Sequence, residues 1–176
     1  MKRLVSIFCF LAVLVTVCMS GEPDHPKPNI TSILRDTIKK TDRIFVYEGL
    51  PHQMFEAELL EKEKKRKDTT SIANYSFYAP KTQVENKALV KMKTIISDSK
   101  NYIQFTGEKR CGGFHPDYAV EWPNGEKTYA VLFCFGCDEV LVVDGKNIYR
   151  YDLRFPDQIK KIFAAYKSKR PKVSLR

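Results

Sequence analysis

Apolar and polar positions alternate along four consecutive stretches of the chain: DYAVEW (117–122), KTYAVLFCF (127–135), DEVLVV (138–143) and NIYRYDL (147–153). A period of two predicts strands with one face buried. Asn124-Gly125 and Asp144-Gly145 supply residues that tolerate positive φ between the strands, and Phe135-Gly136 marks a third, weaker turn. The pattern predicts a four-stranded antiparallel meander over residues 117 to 152. One face collects Tyr118, Val120, Trp122, Tyr129, Val131, Phe133, Val140, Val142, Tyr149 and Tyr151, and is the expected core. The other collects Asp117, Glu121, Thr128, Glu139 and Arg150 with Ala119, Ala130 and Leu132, and is expected to be smaller, more polar and more open.

Helical spacing predicts elements on either side. TSILRDTIKK (31–40) reads as a short helix capped by Thr31, burying Ile33, Leu34 and Ile38. Pro51 suits the first position of a helix running to about residue 66, with Phe55 and Leu59 as its apolar stripe and Glu58–Lys62, Glu61–Lys65 and Glu63–Lys67 as four-apart pairs. Thr82 and Glu85 form a capping box opening a helix to about residue 96, with Ala88, Leu89, Met92, Ile95 and Ile96 inward. Pro156 opens a last helix carrying Ile159, Ile162, Phe163 and Tyr166. RIFVYE (43–48), SFYAP (76–80) and YIQF (102–105) read as extended. The expected fold class is α+β: a four- to five-stranded antiparallel β-meander with helices on its aromatic face.

The first 20 residues change the picture. Lys2 and Arg3, an apolar run from Leu4 to Met19, and small residues at Cys18 and Ser20 make a secretory signal peptide, cleaved before Gly21. Cleavage ranks above an uncleaved anchor, because the run is shorter than the ~20 residues of a membrane span. It also ranks above lipidation of Cys18, because Val17 is bulky. A leader and short helix (21–42), one domain (43–170) and a basic tail (171–176) then follow. Cleavage removes two of the chain's 176 residues that carry charge, and the net charge falls from +9 to +7. Export argues against nucleic acid as a partner; the basic tail suits weak contact with an anionic envelope surface.

Five cysteines become three after cleavage: Cys111, Cys134 and Cys137. If the Asn124-Gly125 turn closes the first hairpin, Val120 faces Tyr129 and His115 faces Cys134. Cys137 lies one turn from Cys134, and Cys111 precedes His115 by four. Three thiols and one imidazole then converge at one sheet edge. That set suits tetrahedral zinc, with Cys111, His115, Cys134 and Cys137 as ligands and Asp117 hydrogen-bonding behind them. Copper is a softer-ligand alternative. The structural alternative is a disulfide, Cys134–Cys137 or Cys111–Cys134, in keeping with export. A Cys–His nucleophile oriented by Asp117 is a third reading. Thioredoxin-type exchange is disfavoured because CFGC lies between strands rather than at a helix start, and c-type haem attachment is excluded by Asp138 after CFGC. His52 is a further candidate.

YEGLPHQ (47–53), CGGFHPDYAVEW (111–122) and CFGC (134–137) together resemble a family of exported, planctomycete-like bacterial proteins with no assigned activity, over residues 44 to 171. The resemblance implies a bacterial envelope location and singles out Glu48, His52, Cys111, His115, Asp117, Cys134 and Cys137. The expected function is that of an exported zinc-binding protein. An enzyme using a Cys–His pair and a disulfide-stapled interaction module are the alternatives.

Overall fold

The computed structural model describes residues 29–107, 109 and 112–171. The expected signal peptide, Cys111 and residues 172–176 lie outside the described residues. Along the chain come α1 (Ile30–Ile38), β1 (Ile44–Glu48), α2 (Ala57–Glu63), β2 (Thr69–Ile72), β3 (Tyr75–Tyr78), β4 (Thr82–Val84), α3 (Asn86–Ser97), β5 (Tyr102–Gln104), β6 (Tyr118–Asn124), β7 (Lys127–Cys134), β8 (Glu139–Asp144), β9 (Asn147–Leu153) and α4 (Pro156–Phe163). The fold is α+β. Its main sheet has seven strands in the order β4-β1-β6-β7-β8-β9-β5, and β2 and β3 form a separate hairpin. All paired strands are antiparallel. The sheet is therefore wider than expected: β1 and β4 extend it at one edge and β5 at the other. No helix among the described residues is long and apolar enough to cross a membrane.

Both hairpin turns sit one residue later than the sequence suggests. Asn124 pairs with Lys127 and Asp144 with Asn147, so the turns are residues 125–126 and 145–146. Gly125 and Gly145 hold positive φ, 62° and 61°, at the first central position, where a II′ turn wants glycine. The expected pairs move by two: Val120 faces Val131, and the pair His115–Cys134 does not form, because β6 begins at Tyr118, opposite Phe133. A shift of two leaves every side chain on its own face. All ten aromatic-face residues accordingly lie in or against the main core, together with Leu34 and Ile38 of α1, Met92 and Ile96 of α3, and Ile159 and Phe163 of α4.

The second face is not open. The hairpin β2–β3 lies over it, and Phe77 packs with Tyr47, Ala119, Ala130, Leu132, Leu141 and Val143. Its turn places Ala73 and Asn74 at φ 49° and 68°, a conformation that Asn-Gly announces in a sequence and Ala-Asn does not.

Two expected helices begin late. Residues 82–84 form β4, whose Val84 faces Ile44 of β1. The helix opens instead at Asn86, and Glu85 makes no side-chain cap. A strand that extends a buried sheet outweighs a capping box. The helix expected from Pro51 is only Ala57–Glu63, with Leu60 and Glu63 buried. Phe55, expected inside, is 75% exposed. The cause is competition for a carbonyl: that of Leu50, which would accept the first helical bond, accepts from Arg170 and His115 instead. The Glu56 carboxylate meanwhile accepts from the His52 N–H and closes a local turn.

Candidate functional site

The YEGLPHQ, FHPDY and CFGC segments meet where β1 ends, β6 begins and β7 ends. The Gly49 N–H donates to the Asp117 carbonyl at 2.7 Å, and the Asp117 N–H donates to the Phe133 carbonyl at 2.7 Å. The Asp117 carboxylate accepts from the Phe135 N–H at 2.9 Å. His115 Nε2 donates to the Leu50 carbonyl at 2.9 Å, and the rings of His52 and His115 meet edge to face, 4.7 Å between centroids.

A fourth segment, not singled out by the sequence, completes the assembly. The buried Glu48 carboxylate accepts from three consecutive backbone N–H groups, those of Ser168, Lys169 and Arg170, at 3.1, 2.6 and 3.2 Å. The Arg170 guanidinium donates to the Gly49 and Leu50 carbonyls and lies 3.5 Å from Asp117 Oδ1. Lys169 Nζ donates to the Pro80 carbonyl. The stretch reads as a frayed basic tail, since nothing local marks it. Its partners at the end of β1, Glu48, Gly49 and Leu50, lie 120 to 122 residues away along the chain. Glu48 is thus a clamp for this strap, with its charge met by N–H dipoles.

The hydrogen bonds set the histidine tautomers. His52 Nδ1 accepts from the Met54 N–H at 3.1 Å, which puts the proton of the neutral ring on Nε2; that atom is buried and has no partner among the described residues. His115 uses Nε2–H toward Leu50, and its Nδ1 lone pair has no partner among the described residues. Burial holds the His115 pKa below its ordinary 6.5, the Leu50 carbonyl opposes the shift, and His52 and Arg170 add to it. The native state therefore prefers the neutral ring, and the unfolded chain takes up the proton first. The stability this provides is full above pH ~6.5 and lost as pH falls. Urea midpoints measured from pH 7.5 to 5 should drop with acidification, and His115→Gln should flatten that slope; equal slopes in both proteins would dismiss the assignment.

The sulfurs occupy different states. Cys134 is a free thiol, fully buried. Burial pushes its pKa up, against hydrogen bonds from the backbone N–H groups of His115, Cys137 and Gly136. The expected neighbourhood of His115 and Cys134 thus exists, made through the histidine's backbone rather than through strand pairing. Cys137 is disulfide-bonded. Because Cys134 is free, neither expected pairing, Cys134–Cys137 nor Cys111–Cys134, is present. The Cys134 sulfur is held against the N–H groups of its own turn, short of a bridge. The Cys137 sulfur lies 3.4 Å from the Gly113 carbonyl oxygen. Among the described residues no group of three or more His, Cys, Asp or Glu side chains is arranged to hold a metal; Cys111, the fourth expected ligand, lies outside them. No family model, curated protein or solved structure matches this chain.

Proposed function

We propose that the chain is an exported, disulfide-stapled binding module whose Cys/His cluster maintains shape and does no chemistry. Export rests on the signal-like start of the chain. The state of the sulfurs carries the rest: one is in a bridge, and the other is fully buried with a raised pKa. A nucleophile needs an accessible thiolate, and the Cys134 thiol is fully buried. We assign Cys111 as the partner of Cys137. Cys134 is free, Cys9 and Cys18 belong to the expected leader, and Gly113, two residues from Cys111, lies beside the sulfur. Closing a loop of that length stabilises a domain by roughly 2–4 kcal/mol.

One observation favours a second reading, the zinc site. A histidine that donates one ring N–H to a backbone carbonyl and keeps the other lone pair is prepared as a ligand, and His115 does so. Zinc would then sit among Cys111, His115, Cys134 and Cys137, which requires Cys137 to be reduced. Mass spectrometry with metal analysis separates the two. The proposal expects one alkylated cysteine in the denatured, non-reduced mature protein, three after reduction, and no stoichiometric metal. In the native protein Cys134 should resist alkylation at pH 7. Three alkylations without reductant, with one zinc released, would replace the proposal with the zinc site.

A further inference from the structure

A cavity of about 300 Å³ lies between the start of β6 and the α4–strap segment, lined by Tyr118, Phe135, Lys160, Lys167, Arg170 and the two carboxylates of Glu48 and Asp117. The carboxylates are already engaged. Glu48 accepts three N–H groups, and Asp117 accepts from Phe135 and faces Arg170. What remains uncommitted consists of donors. Lys160 and Lys167 are exposed and, among the described residues, neither forms an ion pair; the Tyr118 hydroxyl makes no hydrogen bond there either. Burial and the nearby Glu48 push that hydroxyl up to about 12, so at neutral pH it keeps its proton. The floor is rigid and apolar: the Tyr118 ring stacks on Phe163 at 4.8 Å, and Phe135 lies 5.8 Å from the same ring. Two free ammonium groups and a phenol above a preformed aromatic floor favour an oxyanion attached to a flat or apolar body. A cation would meet three positive side chains.

We propose that this cavity binds a small phosphate monoester, its phosphate held by Lys160, Lys167 and the Tyr118 hydroxyl and its organic part resting on Tyr118 and Phe135. The site does not depend on whether the cysteines are bridged or hold zinc.

Titration calorimetry of the mature protein with phenyl phosphate tests it. Saturable one-to-one binding is expected, weakened about tenfold or more in the Lys160→Ala/Lys167→Ala double variant and several-fold in Tyr118→Phe, since a charge-assisted hydrogen bond is worth about a factor of ten. The double variant Lys87→Ala/Lys91→Ala, which removes the same charge from exposed positions of α3, should bind like the parent. Inorganic phosphate should bind the same site more weakly, lacking the aromatic part. Amine-modification footprinting of the unaltered protein gives a check free of folding effects: phenyl phosphate should protect Lys160 and Lys167 and leave Lys87 and Lys91 reactive. Absence of saturable binding, equal affinity in the site and control variants, or protection spread evenly over all four lysines overturns the proposal.

Discussion

Gly49→Ala is expected to cost about 3 kcal/mol, the upper end for overpacking, because the added methyl has nowhere to go. A Cβ at this position would overlap the Pro116 carbonyl oxygen and stand 3.0 Å from its carbon and 3.1 Å from the Asp117 oxygen. These are backbone atoms, and the Gly49 N–H bond to Asp117 holds the two segments together at that spot. Relief requires β1 and the FHPD segment to part, and the contact between the His52 and His115 rings would go with them. Gly136 in CFGC is the control: nothing lies within 4 Å of a Cβ there, and its φ is not positive. Gly136→Ala should change stability by less than ~0.5 kcal/mol. Urea denaturation of both variants decides the matter, and similar midpoints would show that the close approach is not a constraint.

The second large effect lies on β8, where Glu139 pairs with Cys134 of β7. Glu139 is fully buried, and Arg150 donates to one of its oxygens through Nε at 2.9 Å and Nη2 at 2.5 Å. The second oxygen has no partner among the described residues. Arg150 also stacks on Phe105, 4.3 Å from the ring centroid. Arg150→Met should destabilise the protein by about 3–5 kcal/mol, because it strands a carboxylate in an apolar layer. Glu139→Leu/Arg150→Met should recover most of that loss, since desolvating the pair offsets much of its attraction. If the double variant is as unstable as the single one, the cost resides in arginine packing and not in the stranded charge.

Much of the framework was legible because it rests on short-range rules. Alternation located β6 to β9 and assigned the ten aromatic-face residues correctly, even though both turns slid by one position. The error survived because moving a two-residue turn by one changes each pair by two, which a period-two pattern does not register. It mattered only at the edge, where the predicted His115–Cys134 pair depended on the register itself. SFYAP announces β3, but not its pairing with β2, because the turn at Ala73-Asn74 carries no glycine. The helix expected from Pro51 starts late because its first carbonyl, that of Leu50, is claimed by Arg170, 120 residues downstream, and by His115.

By itself, then, the chain's order of residues determined the central strands, the composition of the aromatic layer, and the approach of the His115–Asp117 segment to that of Cys134 at one end of the sheet; only the structure brings Glu48 and His52 there. Periodicity and turn chemistry act over a few residues and are written locally. Only the tertiary structure decided what the gathered groups do: Glu48 grips the strap, Asp117 bonds the CFGC turn, His115 bonds Leu50, Cys134 stays a buried thiol, and Lys160 and Lys167 come to line a cavity beside Tyr118. Those roles depend on which distant donor reaches an acceptor first and on how much water is removed around it. Both are properties of the assembled packing, and no window of sequence contains them.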